Sequence, residues 1–273
     1  MKVYKFATRG AQWSYHWFSY ILGSLRFIEN KDEKVNVLIE ELKNYKIDNF
    51  YRIESLEYFK NNFNFYYDIN DLSNNNCEFI QYFGENLIED DRIDPTAFEY
   101  MRNKVLSQYL NNNKFNDKKI YIRRNNQSKL DFNKIYSTRR NLINEDELCD
   151  TLTNVYGFNC INLEDYNFND KIDIFQNSKI IITPMGGALI FAIFANISTK
   201  IIEIYADPIQ TCTRNHFKIL CEDLKLNYER FSTSVELLND NSFRLDSSLN
   251  MNILTFLEHL EKIGINPTNK DSI

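Results

Sequence analysis

The rhythm of hydrophobic and polar positions changes after the tract Asn111–Lys119 (NNNKFNDKK). Downstream of it, short and nearly continuous apolar runs alternate with amphipathic stretches. Ile120–Arg123 (IYIR), Phe158–Leu163, Lys179–Thr183, Lys200–Tyr205 (KIIEIY) and Asn227–Phe231 read as strands. Between them, Glu145–Tyr156, Phe168–Asn177, Gly187–Asn196 and Thr213–Leu224 read as helices, the first capped by Asn144 and ended by Gly157. Strands written as apolar runs, each followed by a helix, predict a parallel sheet covered on both faces.

Upstream the pattern is less regular. Met1–Phe6 alternates as a strand does. Ser14–Ile28 (SYHWFSYILGSLRFI) is apolar nearly all round, as in a buried helix with Ser14 as its N-cap. The polar, Asn-rich stretch from Lys31 to Asn76 predicts a helix over Val35–Lys43, a strand over Asn49–Ile53 and a helix over Leu56–Asn61. Cys77–Phe83 predicts a strand, and Pro95 opens a helix running from Thr96 to about Asn111. The expectation is an α/β protein with two Rossmann-like domains facing a cleft. An N-terminal domain spans 1–113 and a C-terminal one 114–250. In the remaining segment, 251–273, a helix over Asn252–Ile263, ended by Gly264, packs back on the first domain.

Hydrophobic residues at 43% supply an ample core, and a net charge of −6 argues against a nucleic-acid binder. The cysteines, Cys77, Cys149, Cys160, Cys212 and Cys221, are odd in number and lack metal-ligand spacing, which fits a reducing compartment and no zinc site. No signal-peptide pattern opens the sequence and no apolar run approaches the ~20 residues of a membrane span. The expectation is a soluble, cytoplasmic protein.

Against this background the stretch IIITPMGGALIF, Ile180 to Phe191, is unusual. Two of the chain's seven glycines, Gly186 and Gly187, stand side by side where a strand turns into a helix. One use of such a turn is to present the N–H groups of Gly187, Ala188 and Leu189 to a diphosphate. The other is a tight turn that needs small residues for helix–sheet packing. Arg123 and Arg124 end the first strand of the second domain, at the same rim, and Arg139 and Arg140 precede the helix capped by Asn144. Four arginines on loops at one predicted rim favour phosphate, which a guanidinium grips in bidentate fashion. There is no Asp-X-Asp motif, so a diphosphate leaving group here would be neutralised by helix dipoles and cations, with no metal ion required. Of the three histidines, His16 is the candidate general base, His216 a candidate nucleotide contact and His259 structural.

Taken in order, Tyr15-His16-Trp17, Tyr121-Ile122-Arg123-Arg124, Arg140-Asn141-Leu142-Ile143-Asn144-Glu145, Gly157-Phe158 through Glu164, Pro184-Met185-Gly186-Gly187-Ala188-Leu189 and Ile201-Ile202-Glu203-Ile204 resemble glycosyltransferase family 61. That family includes bacterial capsular-polysaccharide transferases and eukaryotic O-GlcNAc and xylosyl transferases. The resemblance implies a GT-B fold and metal-independent, inverting transfer from a nucleotide-sugar, usually a UDP-sugar. The acceptor would be a glycan or another hydroxyl compound, and no cofactor is implied. Carried over, Arg124 and Arg140 are the donor-phosphate arginines, Gly186 to Leu189 the diphosphate turn, and Glu203 a carboxylate near the turn or the ribose. Arg123, Asn144, Glu145, Asp94 and His216 are further candidates. Two positions depart from the family pattern. Met185 replaces a histidine, and Tyr20 replaces an acidic residue, which moves the base role to His16 or a loop acid such as Asp94. The alternative is an inactive member that binds a nucleotide-sugar or glycan as a partner subunit. A dinucleotide-dependent oxidoreductase is disfavoured, because the turn lacks Gly-X-Gly-X-X-Gly.

Overall fold

The computed structural model describes residues 1–6, 16–40, 50–72, 76–82, 88–89, 92–93, 95–124, 142–207, 215–234 and 250–268. The chain divides into two compact units, Met1–Asn111 with Asn167–Asp170, and Asn112–Tyr166 with Lys171–Ile273.

In the first unit, β1 (Lys2–Phe6), β2 (Val35–Leu38), β3 (Phe63–Tyr66) and β4 (Glu78–Tyr82) form a parallel sheet of order β3-β2-β1-β4. A short antiparallel pair, β5 (Ile88–Glu89) and β6 (Arg92–Ile93), follows. Trp17–Leu22 is π-helical and tightens into a 3₁₀ segment, Gly23–Phe27. These turns bury Trp17, Phe18, Ile21, Leu22 and Leu25 completely. Helix α1 covers Phe50–Glu57 and α2 covers Pro95–Leu106. A Cβ at Gly23 would lie 3.0 Å from the Cβ of Ala97, so glycine is what lets α2 approach this closely.

Three expectations for this unit are corrected. Val35–Leu38 is a strand where a helix was expected, because Val37 and Leu38 are buried in a sheet that pairs β2 on both edges. Its polar Asn36 is tolerated there: its amide donates to the Lys2 carbonyl and accepts from Asn64, its register partner on β3. Phe50–Glu57 is a helix where a strand was expected over Asn49–Ile53. Its buried positions Arg52, Ser55 and Leu56, continued by Phe59, recur at helical spacing. The helix expected over Leu56–Asn61 ends at Glu57, and β3 follows after a turn.

The second unit holds β7 (Lys119–Ile122), α3 (Glu145–Asn154), β8 (Asn159–Ile161), α4 (Phe168–Asn177), β9 (Ile180–Pro184), a 3₁₀ helix Gly187–Phe194, β10 (Lys200–Asp207), α5 (His216–Asp223), β11 (Asn227–Ser234) and α6 (Ile253–Lys262). The first residues of α4 cluster with the first unit. All five strands are parallel, in the order β11-β10-β9-β7-β8. The strand order reverses between β7 and β9. Because side chains alternate along a strand, Tyr121, Ile182, Ile202 and Ile204 share one face and Ile120, Ile181 and Ile201 the other. The first face packs against Leu148 and Leu152 of α3.

The same face receives α6, which corrects the expectation that the C-terminal helix returns to the first domain. Ile253, Phe256, Leu257 and Leu260 form a stripe at helical spacing and join the second unit's core. The Phe256 ring meets Phe231 edge-on at 5.0 Å. Asn252 caps α6 by accepting from Thr255 N, and Gly264, at φ 85°, ends it.

Candidate active site

In open α/β sheets, ligands bind outside the carboxyl ends of the strands where the order reverses. Here that point lies between β7 and β9. Strand β7 leads directly into Arg123 and Arg124, and β9 into Met185, Gly186 and Gly187. The switch point therefore carries both the arginine pair and the glycine turn.

The turn is held by its neighbours. Met185 N donates to the Ile204 carbonyl, extending the pairing with β10, and the Met185 side chain is buried. Gly186 is fully extended, at φ 172° and ψ −174°, a conformation open to any residue. Glycine is needed here for space. A Cβ at Gly186 would collide with Nη1 of Arg124 and lie 3.0 Å from its Cζ, so the guanidinium rests directly on the turn. Leu189, expected to offer its N–H to a ligand, instead donates to the Gly186 carbonyl at 3.1 Å, closing the first 3₁₀ turn. Its side chain is fully buried. The N–H groups of Gly187 and Ala188 precede that first bond, and both residues are only half-buried.

Arg124 is aimed from below by a buried carboxylate. Glu145, fully inaccessible at the start of α3, accepts from Arg124 N at 2.6 Å and from the Tyr121 hydroxyl at 2.9 Å on one oxygen. Burial, reinforced by this carboxylate, pushes the Tyr121 phenol well above its ordinary range and keeps it a donor. Arg123 takes a different course. Its Nη2 pairs with Asp146, and its Nε lies 3.7 Å from Glu145. The two arginines thus divide: Arg123 is paired with the acidic first turn of α3, and the Arg124 guanidinium covers Gly186. Asn144 precedes α3 but its side chain does not cap the helix. Its amide pairs instead with the Met251 backbone in both directions, at 2.7 and 3.3 Å, fixing the approach to α6.

Glu203, also fully buried, accepts from the Tyr228 hydroxyl and from Arg230 Nε at 2.9 Å. Burial, then this carboxylate, raises the Tyr228 phenol. The Arg230 guanidinium stacks 4.1 Å above the Tyr205 ring and donates to Asn215, immediately before His216 at the head of α5. Sequence reasoning did not single out Arg230 or Tyr228; Arg230 is the register partner of Glu203 on β11, and Tyr228 lies two residues before it, opposite Ile201.

His16 belongs to the first unit, where its ring lies 4.8 Å from Tyr20, one turn on. Arg139, Arg140, Asp94 and Tyr15 lie outside the described residues. Among the described residues no cluster of three or more His, Cys, Asp or Glu side chains could hold a metal ion, and no helix is long and apolar enough to cross a membrane.

The family model for glycosyltransferase 61 matches residues 15–202, well over half of the chain. The chain belongs to glycosyltransferase family 61. Membership implies glycosyl transfer as the general activity, with a donor and an acceptor as substrates. The matched span includes His16, Arg124, Glu145 and the whole glycine turn, and stops one residue before Glu203. A comparison with curated proteins finds no match.

Proposed function

We propose that this family 61 member transfers a sugar from a nucleotide-sugar, a UDP-sugar as first choice, to a glycan or another hydroxyl acceptor. Transfer inverts the anomeric centre and requires no metal ion. The observation that carries the reading is the Arg124 guanidinium lying over Gly186 at the point of strand reversal. Beside it, the Gly187 and Ala188 N–H groups begin a helix whose positive end favours an anion.

In this reading the donor diphosphate takes the N–H groups of Gly187 and Ala188 and the guanidinium of Arg124, with Arg140 as a second cation. The acceptor oxygen attacks the anomeric carbon as the bond from that carbon to the diphosphate oxygen breaks. Charge grows on the departing oxygen, where the arginines act. His16 takes the acceptor proton. Losing one such stabilising donor typically costs on the order of 10²–10³ in rate. A GT-B arrangement of the two units, polysaccharide synthesis and a cytoplasmic location complete the proposal.

The test is calorimetric titration with UDP, GDP, CMP and dTDP and their common sugars, with and without EDTA. Binding of one nucleotide, unchanged by EDTA and lost in Arg124→Ala, is expected. Binding that survives Arg124→Ala at full strength, or that needs a divalent ion, would overturn the reading.

A further inference from the structure

An open cleft of about 400 Å³, a volume within the range of small-molecule sites, has all its lining residues in the first unit. The end of α1 with the turn after it, the segment following α2 and the first residues of α4 line it. Buried Phe168, met edge-on by the Tyr58 ring at 5.6 Å, supplies aromatic surface. Leu110, 87% exposed, adds an apolar side chain turned to solvent.

The polar lining is held in place by the protein itself. Glu54 Oε2 accepts from Phe168 N at 2.6 Å, and Asn167 Oδ1 accepts from Asp170 N at 2.8 Å. Gln108 Nε2 donates to the Tyr58 and Lys104 carbonyls at 2.7 and 2.9 Å. Asn169 Oδ1 accepts from the Tyr58 hydroxyl. Each of these side chains spends one polar atom and keeps the other. Among the described residues, Glu54 Oε1, Gln108 Oε1 and the amide nitrogens of Asn167 and Asn169 have no hydrogen-bond partner. The cleft thus offers two acceptors and two donor amides, and the groups already paired with each side chain fix which is which.

Charge narrows the ligand. Glu54 and Glu57 outnumber Lys60, which pairs with Glu57 at 2.8 Å. The lining is net negative and disfavours phosphate, the chemistry suited to the glycine turn. A neutral polyol fits. Each of its hydroxyls both donates and accepts, so neighbouring hydroxyls match a mixed set of carboxylate and amide atoms. The C–H face of a sugar ring can cover apolar surface such as Leu110.

We propose that this cleft binds a neutral saccharide and holds the acceptor glycan of the transfer. The acceptor role rests on the transferase reading above; saccharide binding itself does not.

The experiment measures saturation transfer by NMR from the full chain to N-acetylglucosamine, galactose, mannose and xylose, with no nucleotide present. Transfer to at least one sugar is expected, with a Kd on the order of 1 mM, as suits a few neutral hydrogen bonds in an open cleft. Gln108→Ala removes one acceptor at an exposed position. Asn167→Ser removes one amide donor and keeps an oxygen to cap Asp170 N. With the fold verified by thermal melt, binding roughly 3- to 10-fold weaker in either variant is expected. No transfer to any of these sugars, or affinities unchanged in both variants, would overturn the site. So would displacement of the sugar by UDP, which would put the sugar at the glycine turn. UDP that fails to bind counts against the donor reading alone, and the sugar titration still decides the cleft. In turnover, both variants should raise the acceptor KM and leave the donor KM unchanged; an unchanged acceptor KM would refute the acceptor role and leave the saccharide site standing.

Discussion

Gly186→Ala separates space from backbone strain at the glycine turn. Gly186 is extended, so alanine adopts its φ and ψ without penalty, and the added Cβ meets only the end of the Arg124 side chain. That side chain is flexible and yields before the backbone does. Folding stability should stay within about 0.5 kcal/mol of the parent, or rise by about 0.4–1 kcal/mol through the stiffer unfolded chain. The guanidinium must leave the turn. If it contacts the donor diphosphate there, about 1.5–3 kcal/mol of charge-assisted hydrogen bonding is lost, roughly 10- to 150-fold in affinity. Calorimetry with UDP reads the affinity, and a thermal melt reads the stability. The decisive comparison is a double-mutant cycle with Arg124→Ala. If alanine at position 186 acts by displacing Arg124, the double variant binds no worse than Arg124→Ala alone. Additive losses would show that position 186 acts independently of the arginine. A fall in melting temperature of several degrees would show that the backbone, and not the guanidinium, is what glycine serves.

Glu145→Ala leaves the Tyr121 hydroxyl and the Arg124 N–H without their acceptor, and should cost roughly 1–3 kcal/mol for each buried group stranded; an unchanged urea midpoint would refute this. Phe256→Ala removes the largest fully buried side chain of α6 and should destabilise the second unit by about 3–5 kcal/mol. Hydrogen exchange on β7 and β9 is the readout, and protection there equal to the parent would contradict the placement of α6. Stability should also fall in alkali. Burial and a neighbouring carboxylate raise Tyr121 and Tyr228, and burial with Glu261 pushes Tyr156 up to about 12. A phenol raised in the folded state stabilises fully below its unfolded value near 10, and that contribution is lost as pH rises through the folded value. Melting temperature should therefore drop above about pH 10, less steeply in Tyr228→Phe; a flat profile to pH 11.5 would refute the assignment.

The second sheet was legible in the sequence because its central strands are buried on both faces and read as unbroken apolar runs, as Ile180–Ile182 does. The first was harder. Asn36 makes β2 look polar until Asn64 stands opposite it, and that partner is supplied by tertiary pairing. At the site, the glycine pair and Arg124 were visible as residue types at a strand end. Their contact was not, since it depends on which strands adjoin at the reversal. Glu145 was named only as a further candidate, and its burial was the part the sequence hid. In the string NEDE it looks like one of several solvated acids at a helix start, and only the packing of α3 on β7 buries it beneath Arg124. Leu189 shows the reverse. Counting N–H groups from the glycine turn assumed an open first turn, and 3₁₀ closure removes one of them.

The placement of α6 has a consequence for synthesis on the ribosome. The apolar face of Tyr121, Ile182 and Ile204 is complete once β10 has emerged, yet its cover runs from Met251 to Ile265. At about 5–20 residues per second, the 58 residues from the end of β10 to Ile265 take roughly 3–12 s to appear. For that interval α3 is the face's only helical cover among the described residues, and the isoleucines that α6 will shield stay exposed. A chaperone binding window is thus built into the order in which the chain is made.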